Sequence, residues 1–314
     1  MAKARSYLLL AAKLSVAALA FGFILSRQSW PQLRDAVLQL SPAALALAIL
    51  LHASGLLIGT VRWRALMRAY GAAPGASFGA MLRTYAVGDF YNVYVPGAVG
   101  GDIMRGVITR RAFPQAGAAG ALAVVLIERC LGLGAVLTLT TLAAASRPDT
   151  KLGATSLPYC LLGIGAVAAV VLAITHGRQL ARYAPAALQP RLASLPRLAS
   201  LTPFFVGCLL SLATQSVEVL CAHVLISDVS STVTLADSFL ALPMAAAAGF
   251  LPLSVAGIGP RDVLLVTLYE LLGVSRAHGT ATAIAYSLVT LIVAGMGGIL
   301  QLLSPLKTQP AANV

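Results

Sequence analysis

Of 314 residues, 59% are hydrophobic and only 10% are charged, and the mean hydropathy is +0.87. Soluble domains carry about 25% charged residues, so these figures exclude a soluble globular protein and predict one transmembrane domain over residues 1–314. The net charge of +12 reflects a shortage of acids. Its basic residues lie between apolar runs, which argues against nucleic acid as a partner and for contact with anionic membrane lipids.

The first apolar run, near 7–25, follows Lys3 and Arg5 and contains the small-residue triplet Ala18-Leu19-Ala20. Cleaved signal sequences share these features. Lys13 interrupts the run, however, and the apolar stretch continues past the triplet, which favours an uncleaved first span. Further windows near 43–61, 117–145, 157–175, 203–226 and 280–303 are each long enough to cross a bilayer. The fold class read from this pattern is all-α and polytopic, with about six full spans.

Two regions fit no simple span. Segments 77–111 and 236–273 are apolar enough to enter the membrane, yet each breaks at proline and glycine. The first reads YNVYVPGAVGGDIMR (91–105), the second LPLSVAGIGPRD (251–262). Non-helical backbone survives at membrane depth only when packed in protein or lining a wet cavity. Pro96, Gly97, Gly100 and Gly101 therefore predict a re-entrant hairpin facing a cavity, and Pro252, Gly257, Gly259 and Pro260 predict a second one.

Charge distribution supports the hairpins. With the N-terminus cytoplasmic, Arg62, Arg64 and Arg68 follow the second span on the same side. Arg110 and Arg111 return to that side only if 77–111 is a hairpin, and the basic loop 176–200 and Lys307 then fall inside as well. Three spans separate the two hairpins, so the second enters from the opposite face. A short pattern, P-x4-G-x3-R, recurs at one constant offset as Pro96, Gly101, Arg105 and Pro252, Gly257, Arg261. The match is weak by itself. Joined to the opposed directions, it reads as an inverted repeat of the kind found in transporters with a midplane site. The loop 176–200 reads either as amphipathic pieces on the headgroup surface or as a solvated positive-inside loop.

Helix starts at mid-membrane aim N–H groups and positive dipole ends into a cavity, which suits an anion. Arg105 and Arg261 add planar forks that bind two phosphate oxygens at once. The competing reading pairs them with Asp102 and Asp262 to hold each hairpin closed. Glu128 and Arg129 interrupt a long apolar run. Adjacent helical residues diverge by about 100°, so the two need not pair with each other. Glu128 suits neutralising an arginine, receiving a cationic headgroup or carrying a proton. Asp89, Glu218 and Glu270 are weaker candidates of the same kind. Asn92 and Ser254 suit hydrogen bonds to a headgroup or caps on broken helix ends. No HExxH, GxSxG, Walker loop or Cys/His cluster occurs, so neither enzymatic catalysis nor a metal or other cofactor is expected.

Together the blocks YNVYVPGAVGGDIMR, IERCLGLGAVL (127–137) and LPLSVAGIGPRDVLLVTLYELLGVS (251–275) resemble the transmembrane region of the lysylphosphatidylglycerol synthase/flippase family. The resemblance covers nearly the whole chain. It implies a flippase-type domain that moves an aminoacylated or glycosylated anionic lipid between leaflets of the cell's inner membrane. It also implies a shared core at Asn92, Pro96, Gly101, Asp102, Arg105, Glu128, Arg129, Gly257, Gly259 and Arg261. Asp262 stands where the family more often has glutamate, one methylene longer. The fused aminoacyl-transfer domain of longer members is not seen, so lysylphosphatidylglycerol synthesis is not expected of this chain alone. Stand-alone relatives also accompany glycolipid and hopanoid pathways. The alternatives are therefore an accessory subunit for a lipid-synthesising partner enzyme and a membrane enzyme acting on a lipid-linked substrate.

Overall fold

The computed structural model describes residues 29–306 except 96–98, 149, 184, 188, 194 and 250–258. The expected first span, the Pro96-Gly97 step and Pro252, Ser254 and Gly257 lie outside the described residues. The described residues are helical and contain no strand. After a short α1 (Trp30–Gln39), the long helices are α2 (Pro42–Ala69), α5 (Gly117–Ser146), α6 (Lys151–Thr175), α9 (Leu201–Val229) and α12 (Arg276–Leu303). All five are long and apolar enough to cross a membrane, and they match the five expected windows that lie within the described residues.

Local chemistry sets where these helices begin. Ser41 caps α2, its hydroxyl accepting the Ala44 N–H at 3.1 Å, and Pro42 follows at the first helical position. Asp228, near the end of α9, accepts the Ser41 N–H at 2.6 Å and so ties the start of α2 to the neighbouring helix. Ser275 caps α12 in the same way. Leu161, Leu162, Leu209, Leu302 and Leu303 stay exposed on the outer faces. That is the arrangement a hydrocarbon solvent favours.

Both broken regions fold as helical hairpins. The first pairs α3 (Phe78–Tyr94) with α4 (Gly100–Ile108), which a 3-10 turn at Thr109–Ala112 extends. The second pairs α10 (Leu235–Gly249) with α11 (Pro260–Leu271). At about 1.5 Å per residue, neither α4 nor α11 spans a hydrocarbon layer roughly 30 Å thick. Three long helices, α5, α6 and α9, lie between the hairpins in sequence. The basic loop that follows α6 forms short helical pieces, α7 (Gly177–Leu180) and α8 (Gln189–Ala193).

Close backbone approach holds α4 against α3. A β-carbon on Gly101 would overlap the carbonyl of Gly88, so the two helices meet glycine to glycine. Gly101→Ala is expected to force the helices apart and to lower the melting midpoint of the detergent-purified protein. Gly79→Ala, where a β-carbon meets open space, serves as the neutral control. At the second hairpin, Gly259 turns the chain into α11 at φ 118°, a conformation that favours glycine, and Pro260 occupies the first helical position.

Two large apolar cores result, with two smaller clusters beside them. One joins α2, α9, α10, α11 and α12 through Leu225, Ile226, Leu265, Tyr269 and Val289. The other joins α2, α3 and α5 through Trp63, Leu66, Val124 and Ile127. Helix α2 serves both, with Ala48 in the first and Trp63 in the second.

One sequence expectation is corrected here. Arg62, Arg64 and Arg68 do not follow the second span as a loop, because α2 continues to Ala69. Arg62 is buried within the bundle. The hydropathy window ended where charge began, but the helix did not.

Candidate functional site

Buried charges gather at two levels along one face of α2. At the first level, Glu128 on α5 accepts hydrogen bonds from Arg62 Nη2 at 2.7 Å and from Arg105 Nη1 at 2.9 Å. Tyr85 adds its hydroxyl at 3.1 Å. Arg105 reaches back along α4 to Asp102, Nη2 to Oδ1 at 2.8 Å, and Arg129 pairs with the other oxygen of Asp102. Glu128 and Arg129 therefore point to different partners, as their helical spacing predicts. The Arg105 guanidinium also lies over the rings of Tyr85 and Trp63, 4.6 and 5.2 Å from their centroids. Gly59 has no side chain to block Tyr85 from packing against α2. Three arginines thus share two carboxylates.

Asn92 closes the first hairpin. Its Oδ1 accepts the N–H groups of Gly101 and Asp102 at 2.9 and 3.3 Å, and its Nδ2 donates to Asp102 at 3.1 Å. The start of α4 is therefore capped from α3. Two of the N–H groups that this helix start was expected to offer to an anion, those of Gly101 and Asp102, are thus taken by a side-chain carbonyl. At the second hairpin the Gly259 N–H is likewise taken, by Asp262 at 3.1 Å. In both half-helices the aspartate is the third helical residue.

At the second level, Arg261 donates to Asp262 (Nη2 to Oδ1, 3.0 Å) and to the Ser287 hydroxyl at 2.7 Å, and it stacks 4.7 Å from the Tyr286 centroid. Glu218 accepts the Tyr286 hydroxyl at 2.7 Å and sits 2.9 Å from His52 Nδ1. His52 and Arg62 occupy one face of α2 ten residues apart, which places the two levels about 15 Å apart along the helix axis. Asp89 on α3 lies within electrostatic range of both, near His52 and Glu218 on one side and Arg105 and Asp102 on the other. Glu270, by contrast, forms a half-exposed bidentate pair with Arg276 at the α11–α12 turn, away from both levels.

A cavity of about 180 Å³ opens at the second level, between Gln215 and Glu218 of α9, Pro243 of α10, Arg261 of α11 and Tyr286 of α12. Gln215 is the central residue of α9, and Tyr286 lies within one turn of the centre of α12. The cavity therefore sits at mid-height of two spanning helices. Val219, Leu242, Pro243 and Ala246 make much of its wall apolar, while Gln215, Glu218, Arg261 and Tyr286 supply the polar groups that water or a polar headgroup needs at that depth.

The chain matches the profile described as the lysylphosphatidylglycerol synthase TM region over residues 10–298. It belongs to that family. A comparison with the curated proteins found no match. Membership makes this a membrane protein related to lipid modification or transport.

The structure brings Asn92, Asp102, Arg105, Glu128 and Arg129 into one network, and Arg261 and Asp262 into another, while Ser254 lies outside the described residues. Sequence reading missed Arg62, Tyr85 and Trp63 at the first level and His52, Gln215, Tyr286 and Ser287 at the second. A helical-wheel reading of α2 would have placed His52 and Arg62 on one face. The tyrosines and Ser287 carried no signal, because their roles depend on which helices meet.

Proposed function

We propose that this protein is a flippase-like transporter that moves an anionic phospholipid or glycolipid, aminoacylated or not, between leaflets by way of the mid-height cavity. The observation that carries the reading is the mid-height cavity beside Arg261, with Gln215, Glu218 and Tyr286 also in its wall and with α9 and α12 continuing to both sides of it. The two half-helical hairpins support it, because each carries a buried Arg/Asp pair on a short helix, with the aspartate in the first turn. With three long helices between them, the hairpins enter from opposite faces and form an inverted repeat. The positive-inside bias sets the Arg64/Arg68 end of α2, and both termini, on the cytoplasmic side of the inner membrane. The lipid headgroup crosses while its acyl chains remain in the bilayer, and it leaves chemically unchanged.

The test is reconstitution into vesicles carrying a headgroup-labelled anionic phospholipid in both leaflets, followed by bleaching of the outer-leaflet label with an impermeant reductant. Transfer predicts that bleaching proceeds beyond the outer-leaflet half, with the recovered lipid at its original mass. Protein-containing vesicles that stop at half, like protein-free ones, overturn the transporter. A shifted lipid mass converts the reading to a membrane enzyme.

A further inference from the structure

The buried networks leave a second, larger cavity unused. It measures about 790 Å³ and lies where the C-terminal end of α2 meets the start of α3 and the end of α4. Arg64, Arg68, Arg83 and Arg111 line it, and among its described lining residues none is acidic. Trp63 and Met67 supply apolar wall. Arginines that only anchor a membrane protein splay outward into the headgroups. These four converge on one concavity instead. Arg83 adds an independent observation: it lines this cavity, and its buried Nε and Nη2 have no hydrogen-bond partner among the described residues, so its guanidinium has donors to spare. Turned toward the cavity, a guanidinium with two spare donors suits an acceptor with more than one oxygen, which a phosphate supplies.

Resting on the transporter reading, we infer that this cavity is a vestibule that binds the phosphate group of an amphiphilic ligand before it reaches the buried networks. Its position agrees with that order. Trp63 lines the vestibule and also lies under Arg105, so its ring stands between the vestibule and the first buried level. The arginines hold the phosphate, and the Trp63–Met67 wall takes the first carbons of the attached chain.

Trp63 is also the reporter. The chain has two tryptophans, and Trp30 is 64% exposed on α1, so Trp30→Phe leaves Trp63 as the sole emitter. The purified full chain carrying that change is titrated in detergent with dihexanoyl-phosphatidylglycerol, dihexanoylglycerol and inorganic phosphate. The expected result is a saturable change in Trp63 emission with the phospholipid and none with dihexanoylglycerol. Arg83→Gln is expected to weaken binding at least tenfold. Arg68→Gln, at an exposed position where folding is not at stake, is expected to weaken it several-fold. Inorganic phosphate that competes only at far higher concentration assigns the site to a lipid headgroup. Equal competition assigns it to free phosphate, with phosphate recognition upheld and the amphiphile overturned. An unchanged affinity in both arginine variants, or an equal response to dihexanoylglycerol, overturns the site. Binding without leaflet transfer sinks the transporter and keeps the site, whereas transfer without binding does the reverse.

Discussion

Glu128→Ala is expected to be the most damaging single substitution in the chain. It should cost about 3–5 kcal/mol, the range for removing one partner of a buried ion pair. For a protein of this size that is on the order of 5–15 °C in melting midpoint. Glu128 is 2% exposed and accepts from Arg62, Arg105 and Tyr85. Without it two guanidiniums remain in an apolar interior. Asp102 is then the only carboxylate in that network, and it is already shared with Arg129. Arg62 is the more exposed to the loss, since its Nε and Nη1 have no partner among the described residues even with Glu128 present. A double-mutant cycle separates this account from a packing defect. If the stranded charge causes the damage, Arg62→Ala should cost less in the Glu128→Ala background than in the wild type, with a coupling above about 1 kcal/mol. Additive losses measured by thermal unfolding in detergent would show that the two side chains do not act as a pair.

Hydropathy made the five long helices legible, because a lipid-facing helix must be apolar over a length the bilayer dictates. The two breaks were legible for a related reason: PGAVGG and GIGP cannot continue a helix, and the surrounding sequence is too apolar for a solvated loop. Arg105 and Arg261 stood out as charges beside those breaks. Their pairing with Asp102 and Asp262 was legible as the reading that competed with phosphate binding, and both pairs form, whereas the second partner of Arg105, Glu128, was not. Arg62 shows why such partners are hard to read. Its local sequence, VRWRALMR, looks like the basic edge of a span. Only the packing of α2 beside α5 turns one of those arginines inward while Arg68 stays exposed. His52 and Glu218 are separated by 166 residues and meet only because α2 lies along α9. Periodicity gives the face of a helix, but the identity of the helix it meets is a tertiary fact.

Arg261→Gln is expected to separate function from fold. Leaflet transfer in reconstituted vesicles should fall at least about 100-fold, the scale on which a charged, desolvated hydrogen bond contributes. The melting midpoint should fall less than for Glu128→Ala. The asymmetry follows from what each removal leaves behind. Loss of Glu128 strands Arg62 and leaves Arg105 sharing Asp102 with Arg129, whereas loss of Arg261 leaves Asp262 still accepting the Gly259 N–H at 3.1 Å and the Ser287 hydroxyl at 3.2 Å. Glu218 keeps His52 and Tyr286. The cavity, however, loses its cation, because Arg261 is the one arginine or lysine among its described lining residues. Arg261→Lys retains the charge but not the planar fork that bonds Asp262 and Ser287 together, so it should recover only part of the rate. Both variants transferring lipid at the wild-type rate would mean that the headgroup crosses somewhere other than this cavity. Arg261 would then serve only to fasten α11 to α12.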